Sequence, residues 1–257
     1  MSLLLGTYRL LTRLLQPLAP RVLEGRARRG KEDPARLGER LGHAGVARPD
    51  GPLVWMHAIS VGESLSLLPV IALLRERRPD LGVLVTTGTL TSARMMAQRL
   101  PEGVIHQYAP VDTPGAVSGF LDHWRPSLAL FVESELWPNL ILEARDGGVP
   151  LMLASARITA HTAEGWTRRP AAARALFQAF ARILPQDEAS AGRIRSLGGR
   201  DDGRVNLKLV GAPLPFDRKA FDRLSQAIGD RPVVVLASTH DGEEAALIQR
   251  LATLDPL

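Results

Sequence analysis

From Gly51 onward the chain alternates short apolar runs with helix-patterned segments, and that alternation leaves few folds open to it. Residues 52–57 (PLVWMH), 82–87 (GVLVTT), 104–108, 128–132 (LALFV), 150–154 and 181–184 read as strands. Helices are predicted at about 64–77, 91–99, 115–124, 137–146, 171–181 and 188–197. Strands alternating with helices pair in parallel through right-handed crossovers, so the expectation is an α/β fold with a doubly wound, Rossmann-like sheet. Such sheets bind ligands beyond the carboxyl ends of their strands.

A second unit is expected late in the chain. Residues 211–216 (GAPLPF) read as an extended linker. A helix, a strand at 232–237 (PVVVLA) and the segment STHDGEE at 238–244, opening another helix, follow. The chain therefore divides into an N-terminal helix with a basic segment (1–48), the doubly wound domain (49–210), and a linker with one βα unit (211–257). One βα unit cannot bury both faces of its strand, so this second domain is expected to be incomplete within the 257 residues.

Residues 3–18 pattern as an amphipathic helix. Leu4, Tyr8, Leu11, Leu15 and Leu18 recur at the helical period, with Arg9, Arg13 and Gln16 on the opposite side. The run is too short and too charged to span a bilayer, and nothing basic precedes it as a signal peptide requires. An arginine-rich stretch from Arg21 to Lys31 follows. Leucines on one face with arginines behind them fit a helix lying in an anionic membrane interface; the alternative is a surface helix packed on its own domain.

Composition removes several chemistries. With no cysteine, disulfides, thiolate metal sites and cysteine nucleophiles are out. The net charge is +5, but the few aromatics are not interleaved with basic residues, so no nucleic-acid partner is expected. His57, His106 and His240 lie near strand ends without partners at metal-ligand spacing, and no metal is predicted. The absence of G-x-G-x-x-G after the first strand argues against a nicotinamide enzyme.

Two acidic motifs follow predicted strands. In WMHAISVGE (55–63), Ser60, Gly62 and Glu63 fall on a turn that opens a helix, where free N–H groups favour an anion or a sugar hydroxyl. A carboxylate there stays ionised, as a general base must; the same pattern also reads as an ordinary helix cap. In ESELWPN (133–139), Glu133 and Glu135 leave the strand LALFV before a Pro-initiated helix, as site carboxylates or as first-turn acids. The hydroxyl-rich loop TTGTLTS (86–92) suits a sugar or phosphate, and Arg157 is a candidate anion clamp or a surface ion-pair member.

Taken together, these motifs resemble the 3-deoxy-D-manno-octulosonic acid (Kdo) transferase family. The likeness runs through Glu39-Arg40-Leu41-Gly42, SVGE, TTGTLTS, Pro110-Val111-Asp112-Thr113-Pro114, ESELWPN, Ser155-Ala156-Arg157, Asn206-Leu207-Lys208 and STHDGEE. SVGE followed seventy residues later by E-x-ELWPN is its most specific part. Two positions depart: the family usually carries Asn where Ser155 stands and Gly where Val205 stands.

The resemblance implies a two-domain GT-B glycosyltransferase whose N-terminal domain holds the acceptor and whose C-terminal domain holds CMP-Kdo. It implies that Glu63 deprotonates the primary hydroxyl of a lipid A precursor (lipid IVA), which attacks the anomeric carbon with inversion as CMP leaves. Glu133 would support the site. Ser60, Gly62, Thr89, Thr91, Glu135 and Arg157 would contact acceptor, and Lys208, His240, Gly242 and Glu243 donor. No cofactor is implied, since CMP-Kdo is a substrate, and no metal is needed at a monophosphate leaving group. The implied location is the cytoplasmic face of the inner membrane, held peripherally by the N-terminal helix; oligomeric state is not addressed. The 257-residue chain is expected to be inactive alone. The rivals are a GT-B enzyme or epimerase using another nucleotide sugar, and a non-catalytic lipid-binding module.

Overall fold

The computed structural model describes residues 2–134, 136–210 and 216–251. They fall into two compact units, Met1–Ala212 and Pro213–Leu257.

In the first unit the strands are β1 (Leu53–His57), β2 (Gly82–Thr87), β3 (Ile105–Tyr108), β4 (Leu128–Val132), β5 (Leu151–Ala156) and β6 (Arg182–Pro185). All neighbours are parallel, in the order β3-β2-β1-β4-β5-β6. The predicted doubly wound sheet is therefore present, and its order reverses between β1 and β4.

Helices cover both faces. α4 (Val61–Arg77) and α5 (Leu90–Arg99) pack on one face, where Leu67, Ile71 and Met96 meet Met56, Val83 and Val85. On the other lie α6 (Pro114–Trp124) and α7 (Pro138–Asp146), then α8 (Ala160–Thr167), α9 (Pro170–Phe177) and α10 (Glu188–Ser196). There Trp55, Phe120, Trp124, Phe131, Phe177 and Phe180 are fully buried, each worth roughly 1.5–3 kcal/mol of apolar transfer. The helix predicted at 171–181 is α9, which ends at Phe177, and α8 before it was not predicted. Thr159 caps α8 by accepting from the Thr162 N–H at 3.1 Å, and Pro170 at the first position starts α9 afresh.

One row of the second face is polar. His57, Thr86 and Gln107 stand in register across β1, β2 and β3. Thr86 Oγ1 accepts from Trp55 Nε1 at 2.8 Å and meets His57 Nδ1 at 2.9 Å, while Gln107 Oε1 accepts from Trp124 Nε1 at 2.8 Å. Burial, and secondarily the Arg40 charge, push His57 down to about 3, so it is a neutral core residue.

The N-terminal segment forms α1 (Leu3–Leu15), a 3-10 turn (Gln16–Leu18), α2 (Ala19–Arg28) and α3 (Leu37–Arg40). Its docking reverses the ordinary sense of an amphipathic helix, because α1 meets the domain mainly through its polar side. Tyr8, expected among the leucines, donates to Asp112 Oδ2 at 2.8 Å, and Asn139 Nδ2 donates to Thr12 Oγ1 at 3.0 Å. Arg9 pairs with Glu143 at 3.2 Å, and Gln16 Oε1 accepts from the Gly115 N–H at 2.8 Å. Leu5 is buried, whereas Leu3, Leu4, Leu10, Leu11, Leu14 and Leu15 face outward. Further along, buried Glu32 takes Arg26 at 2.8 Å and Arg40 at 3.4 Å, and buried Glu39 takes Arg36 at 2.8 Å and the Tyr108 N–H at 2.8 Å. Gly42, at φ +88°, lies so close to α6 that a Cβ there would come within 2.1 Å of the Ala116 carbonyl oxygen.

In the second unit, α11 (Arg218–Ile228) and α12 (Glu243–Leu251) are formed, but the strand expected at 232–237 is not. Val233, Val234 and Val235 are exposed, and the described residues of that unit hold no second strand for them to pair with. An isolated strand leaves its backbone donors and acceptors unpaired, which overrides its β-branched composition.

His106 supplies a pH prediction. Burial, then the Arg36 charge, push it down to about 4, against 6.5 unfolded. A depressed histidine means the unfolded chain binds more protons, so its stabilising contribution is complete above about pH 6.5 and falls away toward pH 4. Urea midpoints should drop through that window, and His106→Gln should remove about 1–2 kcal/mol of the loss between pH 7 and pH 5.

Candidate active site at the carboxyl ends of β1 and β4

The reversal of strand order opens the loops after β1 and β4 away from each other, which is where a doubly wound sheet makes its ligand crevice. The loop after β1 carries Ser60, Gly62 and Glu63, and the loop after β4 carries Glu133.

Ser60 is the N-cap of α4, with extended backbone and an exposed side chain. Its Oγ accepts from the Glu63 N–H at 3.3 Å and donates to Glu63 Oε1 at 2.7 Å. Glu63 Oε2 accepts from the Ile59 N–H at 2.9 Å and the Ser60 N–H at 3.4 Å. Glu63 is thus the return half of a capping box, 7% exposed. Three of a carboxylate's roughly four acceptor positions are taken, and the fourth is on Oε1, the oxygen shared with the exposed Ser60 hydroxyl. The cap reading of this motif is present in the structure.

The neighbouring loop is tied to this one. Gly88 packs so tightly on Ile59 that a Cβ there would lie 2.8 Å from its side chain, and Ser92 Oγ donates to the Ile59 carbonyl at 3.1 Å. Thr89 caps α5 through a reciprocal bond with Ser92, and Thr89 and Thr91 are both exposed beside it.

Across the switch point, Glu133 has φ +60°, left-handed for a residue with a Cβ. Its N–H donates to the Ala154 carbonyl at 3.1 Å, and its carbonyl accepts from the Arg157 N–H at 3.4 Å. Its carboxylate pairs with Lys208 Nζ. Lys208 lies on the 3-10 turn Leu207–Leu209, and a Cβ on Gly62 would sit 3.9 Å from Lys208 Cε. The lysine stem therefore rests against the first turn of α4 while its ammonium reaches Glu133, so one side chain joins the two loops. Arg157 follows β5 with its side chain exposed.

Glu135 lies outside the described residues. His240, Gly242 and Glu243 belong to the second unit, where the His240 N–H donates to Glu243 Oε2 at 2.9 Å and Gly242 takes φ +89°. Lys208, grouped with them by resemblance, lies in the first unit. Among the described residues no three acidic or histidine side chains gather to hold a metal. Ser155 was missed as a site residue. Its signals in the sequence were a hydroxyl inside the apolar run LMLASA and its place in the Ser155-Ala156-Arg157 motif, where the family usually carries Asn.

These features define a doubly wound α/β domain with a carboxylate on each of the two loops that flank its switch point. The chain belongs to the 3-deoxy-D-manno-octulosonic-acid transferase (kdotransferase) family, whose sequence model matches residues 35–209. It is 42% identical over 160 residues to the probable 3-deoxy-D-manno-octulosonic acid transferase, mitochondrial, of Arabidopsis thaliana, covering 62% of this chain and 36% of that protein. It is 31% identical over 248 residues to the 3-deoxy-D-manno-octulosonic acid transferase of Rickettsia bellii, covering 96% of this chain and 59% of that one. The chain thus spans between about a third and three fifths of these relatives' lengths. Among solved structures, the UDP-GlcNAc 2-epimerase from Neisseria meningitidis bound to UDP-GlcNAc aligns with a TM-score of 0.47 at 14% identity, over 68% of this chain and 53% of that one.

The Ser60 cap can be tested alone. Ser60→Ala removes one half of the box and should lower unfolding free energy by about 1 kcal/mol in urea titrations.

Proposed function

We propose that this chain forms the acceptor-binding half of an inverting GT-B glycosyltransferase that moves Kdo from CMP-Kdo to a lipid A precursor, lipid IVA, in lipopolysaccharide synthesis. The observation that carries the reading is that Glu63 and Glu133 stand on the two loops that flank the switch point, with Lys208 pairing to Glu133 while its stem lies beside Gly62. Glu63 is the general base. An acceptor hydroxyl that replaces or joins the Ser60 hydroxyl at Oε1 delivers its proton there, and the oxygen attacks the anomeric carbon of Kdo as CMP departs. Oε2 keeps its two backbone donors, which fixes the acid's orientation at the α4 N-terminus. Glu133 and Lys208 order the opposite wall. Ser60, Gly62, Thr89, Thr91, Glu135 and Arg157 contact acceptor. His240, Gly242, Glu243 and Lys208 contact the donor. The reaction uses no cofactor or metal.

We place the protein peripherally at the cytoplasmic face of the inner membrane. Support comes from α1: its polar side is consumed in docking, which leaves six leucines outward, with Arg13 and Arg21 exposed nearby. Among the described residues no helix is long and apolar enough to cross a membrane.

The engagement of Glu63 in a capping box favours a second reading, in which the acid is structural and the domain only binds lipid. The two separate in a version extended by a complete donor-binding domain. Glu63→Gln keeps an acceptor for the cap but cannot take a proton, and should lower kcat at least about 100-fold with acceptor binding retained. Unchanged turnover rejects the base. Separately, Leu11→Glu with Leu14→Glu should abolish co-sedimentation with vesicles containing phosphatidylglycerol while leaving the melting temperature within a few degrees, since both side chains are exposed.

A further inference from the structure

Two residues with side chains hold left-handed backbone at adjacent strand ends, Glu133 at φ +60° after β4 and Ser155 at φ +51° within β5. Outliers of this kind persist only where surrounding contacts enforce them. Here the contacts form a closed circuit. The β5–β6 register slips between Ala154 and Ala156, so Ser155 is the bulged residue. The Glu133 backbone spans that bulge, donating to Ala154 and accepting from Arg157. The bulge turns Ser155 Oγ, 3% exposed, to accept the Leu207 N–H at 2.7 Å. Leu207 opens the 3-10 turn that carries Lys208, and Lys208 returns to the Glu133 carboxylate.

We infer that Ser155 is a positioning residue: by anchoring the turn at Leu207 it sets the Lys208 ammonium on Glu133 and against the first turn of α4. This deepens the proposed site and rests on that reading for its functional meaning. The geometry it describes does not depend on turnover. Ser155 touches no reacting group. Its hydroxyl acts through the backbone N–H of Leu207, the residue before the lysine, and the left-handed conformation is what aims it there. A residue serving only to relieve strain would be glycine at this φ.

The sequence contains three lysines, Lys31, Lys208 and Lys219, so amine reactivity can be read residue by residue. The experiment is trace acetylation of the 257-residue protein with an N-hydroxysuccinimide ester, quantified by peptide mass spectrometry. Lys31 and Lys219, both exposed, serve as internal references. Lys208 should react about two- to five-fold more slowly than they do, the size of effect a half-exposed ion pair supports. Ser155→Gly, which suits the left-handed backbone but lacks the acceptor, should bring Lys208 to the reference rate without loss of melting temperature. Ser155→Asn, tolerated at positive φ and bearing a carbonyl acceptor, should restore the slow rate. Glu133→Gln should release Lys208 equally, and adding Ser155→Gly to it should change nothing further. A Lys208 as slow in Ser155→Gly as in the wild type overturns the inference, as does a wild-type Lys208 that reacts like its references. Because no turnover is measured, either result leaves the proposed Kdo transfer to stand or fall on Glu63→Gln.

Discussion

The pairing of β1 with β4 is the contact on which the site depends. Val54 to His57 lie in parallel register with Leu128 to Phe131, although more than seventy positions separate them in the chain. That pairing makes two crossovers leave in opposite directions, one to α4 and one to α7, and the crevice is the gap they leave. It brings the loop bearing Glu63 beside the loop bearing Glu133. The buried aromatics Trp55 and Phe131, with ring centroids 5.1 Å apart, hold the two strands from beneath. The polar floor of His57, Thr86 and Gln107 is cross-linked laterally, while His57 Nε2 and Gln107 Nε2 are buried without a partner, and burial keeps His57 uncharged. It adds rigidity under the crevice without entering its chemistry.

Above that floor the side chains carry double duties. Glu63 closes a helix cap and still presents one oxygen to an exposed hydroxyl. Lys208 neutralises Glu133 while its stem covers Gly62, where no side chain intervenes. The left-handed backbones of Glu133 and Ser155 cost free energy, on the order of 1–3 kcal/mol each, which the β4–β5 ladder and the bond to Leu207 offset. Such overlap of cap, clamp and strained turn is what a preorganised site requires, since groups fixed before ligand arrives need no reordering when it does.

The N-terminal helix follows a different logic. A helix with leucines on one side ordinarily buries them, yet α1 turns Tyr8, Arg9 and Thr12 toward the domain. Tyr8 and Asp112 meet in a partly buried contact where burial raises both groups' pKa values. Asp112 also receives the N–H groups of Asn139 and Leu140 at the start of α7, so the same carboxylate anchors α1 and caps α7. The outward leucines are thereby fixed in orientation relative to the crevice, because both are built on one compact unit. We propose that this sets the reach between a membrane surface and the reacting groups.

How much of this could be read in advance differs between residues. The periodicities of LVWMH, GVLVTT and LALFV, bounded by glycine and by helix-starting serine, threonine and proline, specified the strands, the helices and the doubly wound class, because local backbone preference and a buried parallel sheet agree there. The motif carboxylates were visible for the same reason: they stand at strand ends, where a chain must turn. The strand expected at 232–237 failed because β-branched composition does not supply a pairing partner. Local pattern also left undecided which side of α1 would dock, since that depends on Asp112, Asn139 and Glu143, each more than a hundred residues from its contact on the helix. Likewise Ser155 and Lys208 stood in the sequence only as members of two separate motifs, with nothing to link one to the other. They acquire their roles only when β5 is laid beside β4, because a hydrogen bond and an ion pair are matters of distance and direction, which only the folded chain provides.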